Sequence, residues 1–174
     1  IITDLDLFYF KHRDNLKITI TGTNGKSTTS KLLYEILKKH TKNVKLVGNI
    51  GNPVLSQKSI NSKTIFVIEA SSYQIEYSKY YKTDYSAILN IASDHLERHG
   101  TIKNYIKAKF KLIKNQKKNG FAFIYKKNKY LTNLINKTKS LPKIISVNFN
   151  NIKHIKKNIY NSNFYNENNL QNLS

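Results

Sequence analysis

The chain has 174 residues, 39% of them hydrophobic, with 30 Lys and Arg against 10 Asp and Glu, a formal charge of +20 and no cysteine. That length supports one domain with its own core. Mean hydropathy is −0.53, and no apolar run approaches the roughly 20 residues of a bilayer-spanning helix, so a helical membrane class is excluded. Disulfides and thiol catalysis are excluded with the cysteines. The positive charge raises nucleic acid as a partner. However, the lysines are spread over every segment, among abundant Asn, Ile and Tyr, and no Trp, Cys or Met occurs. That pattern fits drift toward AT-rich codons better than a binding stripe. The expectations are no nucleic acid, no membrane insertion, a cytoplasmic location in the absence of a signal-peptide pattern, and attraction for an anionic small molecule.

Lys17 to Thr21, "KITIT", alternates and is β-branched, which predicts a strand. Ser27 to Lys39 sets Leu32, Leu33, Ile36 and Leu37 at helical spacing. Val44 to Val47 reads as a short strand, and Thr64 to Ile68, "TIFVI", as a strand buried on both faces. Tyr73 to Tyr81 reads as helix, Tyr85 to Ile91 as another buried strand, and Thr101 to Lys114 as helix. Phe121 to Tyr125 and Ile144 to Val147 read as strands, with a helix near Tyr130 to Asn136. The tail from Lys153 is polar and Asn-rich. Strands alternating with helices predict an α/β fold with a mainly parallel sheet flanked by helices. Ligands of such sheets bind beyond the carboxyl ends of the strands, and the informative segments fall there.

The first of these is Ile20 to Thr29, "ITGTNGKSTT". Its Gly-Lys-Ser end is that of a phosphate loop, but Ile20 stands where the full pattern has glycine, leaving the shorter Gly22, Thr23, Asn24, Gly25, Lys26, Ser27. Glycines let backbone N–H groups approach phosphate oxygens, Lys26 would reach the terminal phosphates, and the Ser27 hydroxyl would bind Mg²⁺. A glycine turn before an ordinary helix is the alternative. Glu69, ending the most apolar strand, is either a Mg²⁺ ligand beside the loop or the partner of a lysine. Asp94 and His95 follow the next buried strand and fit either a metal or nucleotide contact or a plain loop. Lys109 lies in register with Ile102, Tyr105, Ile106 and Leu112. It is either a snorkelling lysine with its stem on the core or one held partly neutral by desolvation.

Taken in order, "DLDLFY", "ITGTNGKSTT", "GNIGNPV", "EASSYQIE", "ILNIASDHLERHGTIKNYIKAKFKLI" and "NNLQNLS" resemble the Mur ligase family, whose short loop accounts for Ile20. "SSYQIE" resembles the branch that adds D-glutamate. The resemblance implies three domains in the whole protein, of which this chain looks like the central ATPase. Residues 1–16 would be an interdomain connection and residues 17–174 an incomplete central domain, with the UDP-binding and C-terminal domains absent. It also implies a mechanism: the carboxylate of UDP-N-acetylmuramoyl-L-alanine attacks the γ-phosphate of ATP, and the amine of D-glutamate attacks the acyl phosphate. By the same resemblance Gly22 to Thr28, Asn169 and Asn172 bind ATP. Ser27 and Glu69 hold one Mg²⁺, and His95 and a carbamylated Lys109 hold a second. Lys26, His95 and Lys109 serve catalysis, and Asn49, Ser71 and Gln74 contact the muramoyl substrate. A monomer is expected, with little ligase activity in the 174-residue piece by itself. The alternatives are a sibling or folylpolyglutamate-type ligase, or a basic P-loop module that binds nucleotide or nucleic acid without ligase chemistry.

Overall fold

A computed structural model describes residues 2–94, 96–125 and 128–147. Among the described residues six strands form one sheet: β1 (Leu16–Thr21), β2 (Val44–Gly48), β3 (Ile65–Glu69), β4 (Tyr85–Ile88), β5 (Phe121–Tyr125) and β6 (Lys143–Val147). Their order is β2-β3-β1-β4-β5-β6, and every pairing is parallel. The helices are α1 (Asp4–Lys11), α2 (Lys26–His40), α3 (Ser72–Tyr77), α4 (Leu96–His99), α5 (Ile102–Lys114) and α6 (Lys129–Lys137). This is the parallel α/β fold that the alternation of patterns predicts. None of these helices is long and apolar enough to cross a membrane.

The order of strands positions the site. From β1 the chain moves outward to β2, returns through β3, crosses to β4 and continues outward to β6. The connections leaving β1 and β4 therefore run in opposite directions. Between two such strands a crevice opens at their carboxyl ends, where open parallel sheets bind ligands.

Alternate residues of each strand serve opposite faces. Phe66 and Ile68 pack with Leu5 and Phe8 of α1, Ile75 of α3 and Leu112 of α5. On the other face Ile20, Val44 and Val67 pack under Leu33, Tyr34 and Leu37 of α2. A second cluster on the α5 side joins Ile88, Ala122 and Ile124 to Ile106, Phe110 and Ile113 of α5 and Leu131 of α6. Helix α1 thus adds Leu5 and Phe8, both fully buried, to the core, although the sequence reading begins the domain at Lys17.

Two expectations are corrected. The helix predicted over Tyr73 to Tyr81 stops at Tyr77. Beyond it the backbone N–H groups of Lys79, Tyr80 and Tyr81 all donate to the carboxylate of Asp6, at 2.7 to 3.1 Å. A buried carboxylate offering several acceptor sites outcompetes another helical turn. Second, β4 ends at Ile88, and among the described residues it is not enclosed on both faces. Beside α2, the Ala87, Tyr85, Phe123 and Tyr125 side of the sheet lines an apolar groove of about 470 Å³, and Phe123 is 36% exposed.

Candidate nucleotide and metal site

The loop after β1 is built for close backbone approach. Gly25 has φ of +80° and ends the loop at the start of α2. A left-handed residue there turns the first helical N–H groups toward the crevice at no side-chain cost. Helices α1, α3, α5 and α6 are closed by the side chains of Thr3, Ser71, Thr101 and Asn128. The 15-residue α2 has neither a side-chain cap nor an acidic residue in its first turn. Its unpaired N–H groups and the positive end of its dipole therefore face the loop uncompensated, as an anion site requires.

The segment after β4 straps this loop in place. Thr23 N–H donates to the Asn90 carbonyl at 2.9 Å. Asn24 N–H donates to Asn90 Oδ1 at 2.8 Å, and Asn90 Nδ2 returns a bond to the Asn24 carbonyl at 2.9 Å. The Thr23 hydroxyl accepts from Ala92 N–H at 3.0 Å. Lys26 Nζ reaches back to the Thr23 carbonyl at 2.7 Å, and Ser27 is exposed one residue further on. Asn90 does not stand out in the sequence. The available signal was an amide following a buried strand, opposite a glycine loop.

Glu69 is 1% exposed at the carboxyl end of β3, in register with Ile20 of β1. Asn49 Nδ2 donates to its Oε1 at 2.9 Å. Its Oε2 is buried without a hydrogen-bond partner among the described residues. A lysine partner, the plain reading of this residue, is not what occupies it. A buried carboxylate oxygen left unpaired is costly, and a hard cation is one ligand that would satisfy it. Asn49, which the resemblance gives to the substrate, here orients the carboxylate. Gly48 makes this approach possible. Its φ is +110°, and a Cβ there would lie 2.2 Å from the Glu69 carbonyl oxygen.

Lys109 is 1% exposed, which decides against the snorkelling reading. Its Nζ donates to the Gly22 carbonyl at 2.9 Å and sits 4.5 Å from the centroid of the Tyr105 ring. Burial pushes the ammonium down to about 7; the Lys26 cation adds to the drop and Asp94 opposes it. Tyr105 also meets the loop, its hydroxyl 3.2 Å from Thr23 Oγ1.

Ser71 and Gln74 form a reciprocal cap on α3. Ser71 Oγ accepts from Gln74 N–H at 3.2 Å, and Gln74 Oε1 accepts from Ser71 N–H at 3.1 Å. Gln74 Nε2 also donates to Asp4 at 3.2 Å. The structure thus brings Gly22 to Ser27, Asn49, Glu69 and Lys109 to one crevice, with Ser71 and Gln74 just beyond Glu69. His95, Asn169 and Asn172 lie outside the described residues. No cluster of three or more metal-ligating side chains occurs among the described residues.

Fold and loop together define a parallel α/β domain with a glycine-lysine-serine loop at its topological switch point. The chain matches the Mur ligase middle domain over residues 20–173 and belongs to that family. It is 43% identical over 136 residues to a UDP-N-acetylmuramoylalanine–D-glutamate ligase of Caldicellulosiruptor saccharolyticus, covering 78% of this chain and 30% of that protein. A ligase of the same name from Wolbachia pipientis is 46% identical over 112 residues, covering 64% and 22%. The aligned stretch is therefore less than a third of these relatives. Among solved structures, a MurF ligase of Thermotoga maritima in complex with ADP superposes with a TM-score of 0.61 at 20% identity, covering 84% of this chain and 37% of that one. A UDP-N-acetylmuramate:L-alanyl-gamma-D-glutamyl-meso-diaminopimelate ligase of Neisseria meningitides gives 0.63 at 17% identity, covering 82% and 49%. At such identities these superpositions speak for the fold.

Proposed function

We propose that the chain is the central ATP-binding part of an ATP-dependent ligase that joins D-glutamate to UDP-N-acetylmuramoyl-L-alanine through an acyl phosphate, in the cytoplasm. The observation that carries this reading is the uncapped start of α2, with a buried carboxylate whose Oε2 has no hydrogen-bond partner among the described residues on one side and a desolvated lysine on the other. The identity to D-glutamate ligases supports the choice of substrate.

The loop N–H groups and Lys26 would bind the ATP phosphates and stabilise charge on the transferred phosphoryl group. Ser27 and Glu69 fit a Mg²⁺ ion, Glu69 because Oε2 has no hydrogen-bond partner among the described residues. Bound there, the ion would offset phosphate charge and polarise the transferring group. Lys109 would hold a second Mg²⁺ as its carbamate, together with His95. An amine titrating near 7 is available to CO₂ at neutral pH. Asn169 and Asn172 would contact adenine. Ser71 and Gln74 would meet the muramoyl substrate.

The test is a phosphate-release assay on the intact protein that contains this chain. ATP and UDP-N-acetylmuramoyl-L-alanine are supplied with D-Glu, L-Glu, L-Lys or meso-diaminopimelate in turn. Release with D-Glu only is expected. Release with another amino acid moves the protein to a sibling branch, and no release with any removes the ligase reading. The 174-residue chain by itself is expected to show little turnover.

A further inference from the structure

Five side chains are in contact, one after another, from the exposed Arg98 to Lys109 beside the glycine loop. The exposed Arg98 guanidinium lies 5.3 Å from the centroid of the Tyr73 ring. Tyr73 stacks on His99, with centroids 5.4 Å apart and planes at 6°. His99 meets Tyr105 at 5.3 Å and 58°. The Tyr105 ring then carries the Lys109 amine at 4.5 Å.

His99 is the middle member and is only 6% exposed. Its Nε2 is 3.1 Å from Ser72 Oγ, and its Nδ1 is 3.6 Å from Glu76 Oε2. Its carbonyl accepts from Asn104 Nδ2 at 3.0 Å. The Nε2 contact with Ser72 anchors the imidazole to α3 by one edge, while Nδ1 faces Glu76 without a hydrogen bond among the described residues. What it offers Tyr105 is a packed ring tilted at 58°, backed by the parallel Tyr73. A tyrosine ring has two side-chain torsions, and a packed neighbour of defined orientation selects one setting of them. That setting places the Tyr105 hydroxyl on Thr23 and the ring beneath Lys109.

We propose that His99 is a positioning residue of this site: anchored to Ser72 of α3, its ring holds Tyr105 against the Lys109 amine and against Thr23 of the phosphate loop. His99 carries no proton in the reaction and touches no substrate; it acts through Tyr105. The effect on nucleotide rests on the proposed ATP site, whereas the effect on the Lys109–Tyr105 contact does not.

The test compares His99→Phe with His99→Leu in the 174-residue chain. Phenylalanine keeps a flat face, and leucine fills the space without one. Proton NMR reads the ring-current shift of the Lys109 ε-methylene and its Overhauser contact with the Tyr105 ring. Calorimetry reads MgATP binding, and a melting curve reads the fold. H99F is expected to retain the Lys109 shift and the parent affinity. H99L is expected to lose the shift and to bind MgATP about tenfold more weakly, the scale seen when an outer partner of a site residue is removed, while melting cooperatively. Should H99L not fold, Tyr73→Leu removes the outer leaf of the stack, and the same loss is expected. Persistence of the Lys109 shift and of MgATP affinity in a folded H99L or Y73L chain overturns the proposal. A parent chain that does not bind MgATP overturns the nucleotide reading, and the Lys109–Tyr105 contact still decides the role of His99.

Discussion

Glu69 and Lys109 are each buried in a way that a purely structural residue has no reason to be. The unpaired Oε2 of Glu69 costs stability unless a cation satisfies it. Glu69→Gln is therefore expected to melt no lower than the parent in metal-free buffer, yet to lose at least about tenfold in Mg²⁺-dependent nucleotide binding, read by melting curves and calorimetry. Burial holds the Lys109 amine down at about 7 in the fold, against an ordinary lysine value of 10.5 when unfolded. The folded value lies below the unfolded one, so the charged amine opposes folding. The penalty is full below about pH 7, declines as pH rises from 7 to 10.5, and vanishes above that range. Lys109→Met is expected to raise the melting temperature at pH 7 and to do so by less near about pH 9. With ¹³C-bicarbonate, a carbamate carbon signal in the parent is expected to grow from about pH 6 to about pH 8, well below the range of an ordinary lysine.

At the scale of elements, two long-range contacts shape what local sequence leaves undecided. Gly48 ends β2 against the Glu69 carbonyl, where a Cβ would lie 2.2 Å from the oxygen at φ of +110°. Gly48→Ala is expected to destabilise by about 3 kcal/mol or more, since both the clash and the left-handed backbone oppose it; denaturant melts measure this. Asp6 gathers the N–H groups of Lys79, Tyr80 and Tyr81, as well as that of Thr3. Burial raises its carboxyl pKa, but these bonds outweigh it and hold the group below its ordinary value of 3.8. Its stabilisation is present above that value and is lost as pH falls through the lower native one. Asp6→Asn is expected to melt lower at neutral pH and to converge on the parent in acid. The same contact explains the reading of Tyr73 to Tyr81. The helical spacing of those residues is visible locally, but Asp6 is more than seventy positions away. By contrast β5 runs over Phe121–Tyr125, as its local pattern predicts, because a short apolar run rich in aromatic residues needs no distant partner to be read.

For the molecule as a whole, charge and topology act separately. A formal charge of +20 on 174 residues makes self-repulsion a general opponent of compactness. Raising NaCl from about 0.05 M to about 0.5 M shortens the screening length to a few ångströms. The melting temperature is expected to rise, measured at a pH where Lys109 does not titrate. Topology places the loop after β1, the loop after β4 and the end of β3 in one crevice. It also leaves the α2-side groove along β4 and β5 open among the described residues, against the expectation that β4 is buried on both faces.

By itself the sequence determined the fold class, the order of most elements and the position of the glycine loop between β1 and α2, because periodicity and a glycine-lysine-serine turn are local signals. It also singled out Glu69 and Lys109, since a carboxylate ending an apolar strand and a lysine on the apolar face of a helix are local anomalies. Only the tertiary structure decided what those anomalies are. The unpaired oxygen of Glu69, the desolvation of Lys109, the Asn90 strap and the stack through His99 each require groups far apart in the chain. Their distances and burial are set by packing, which no window of sequence contains.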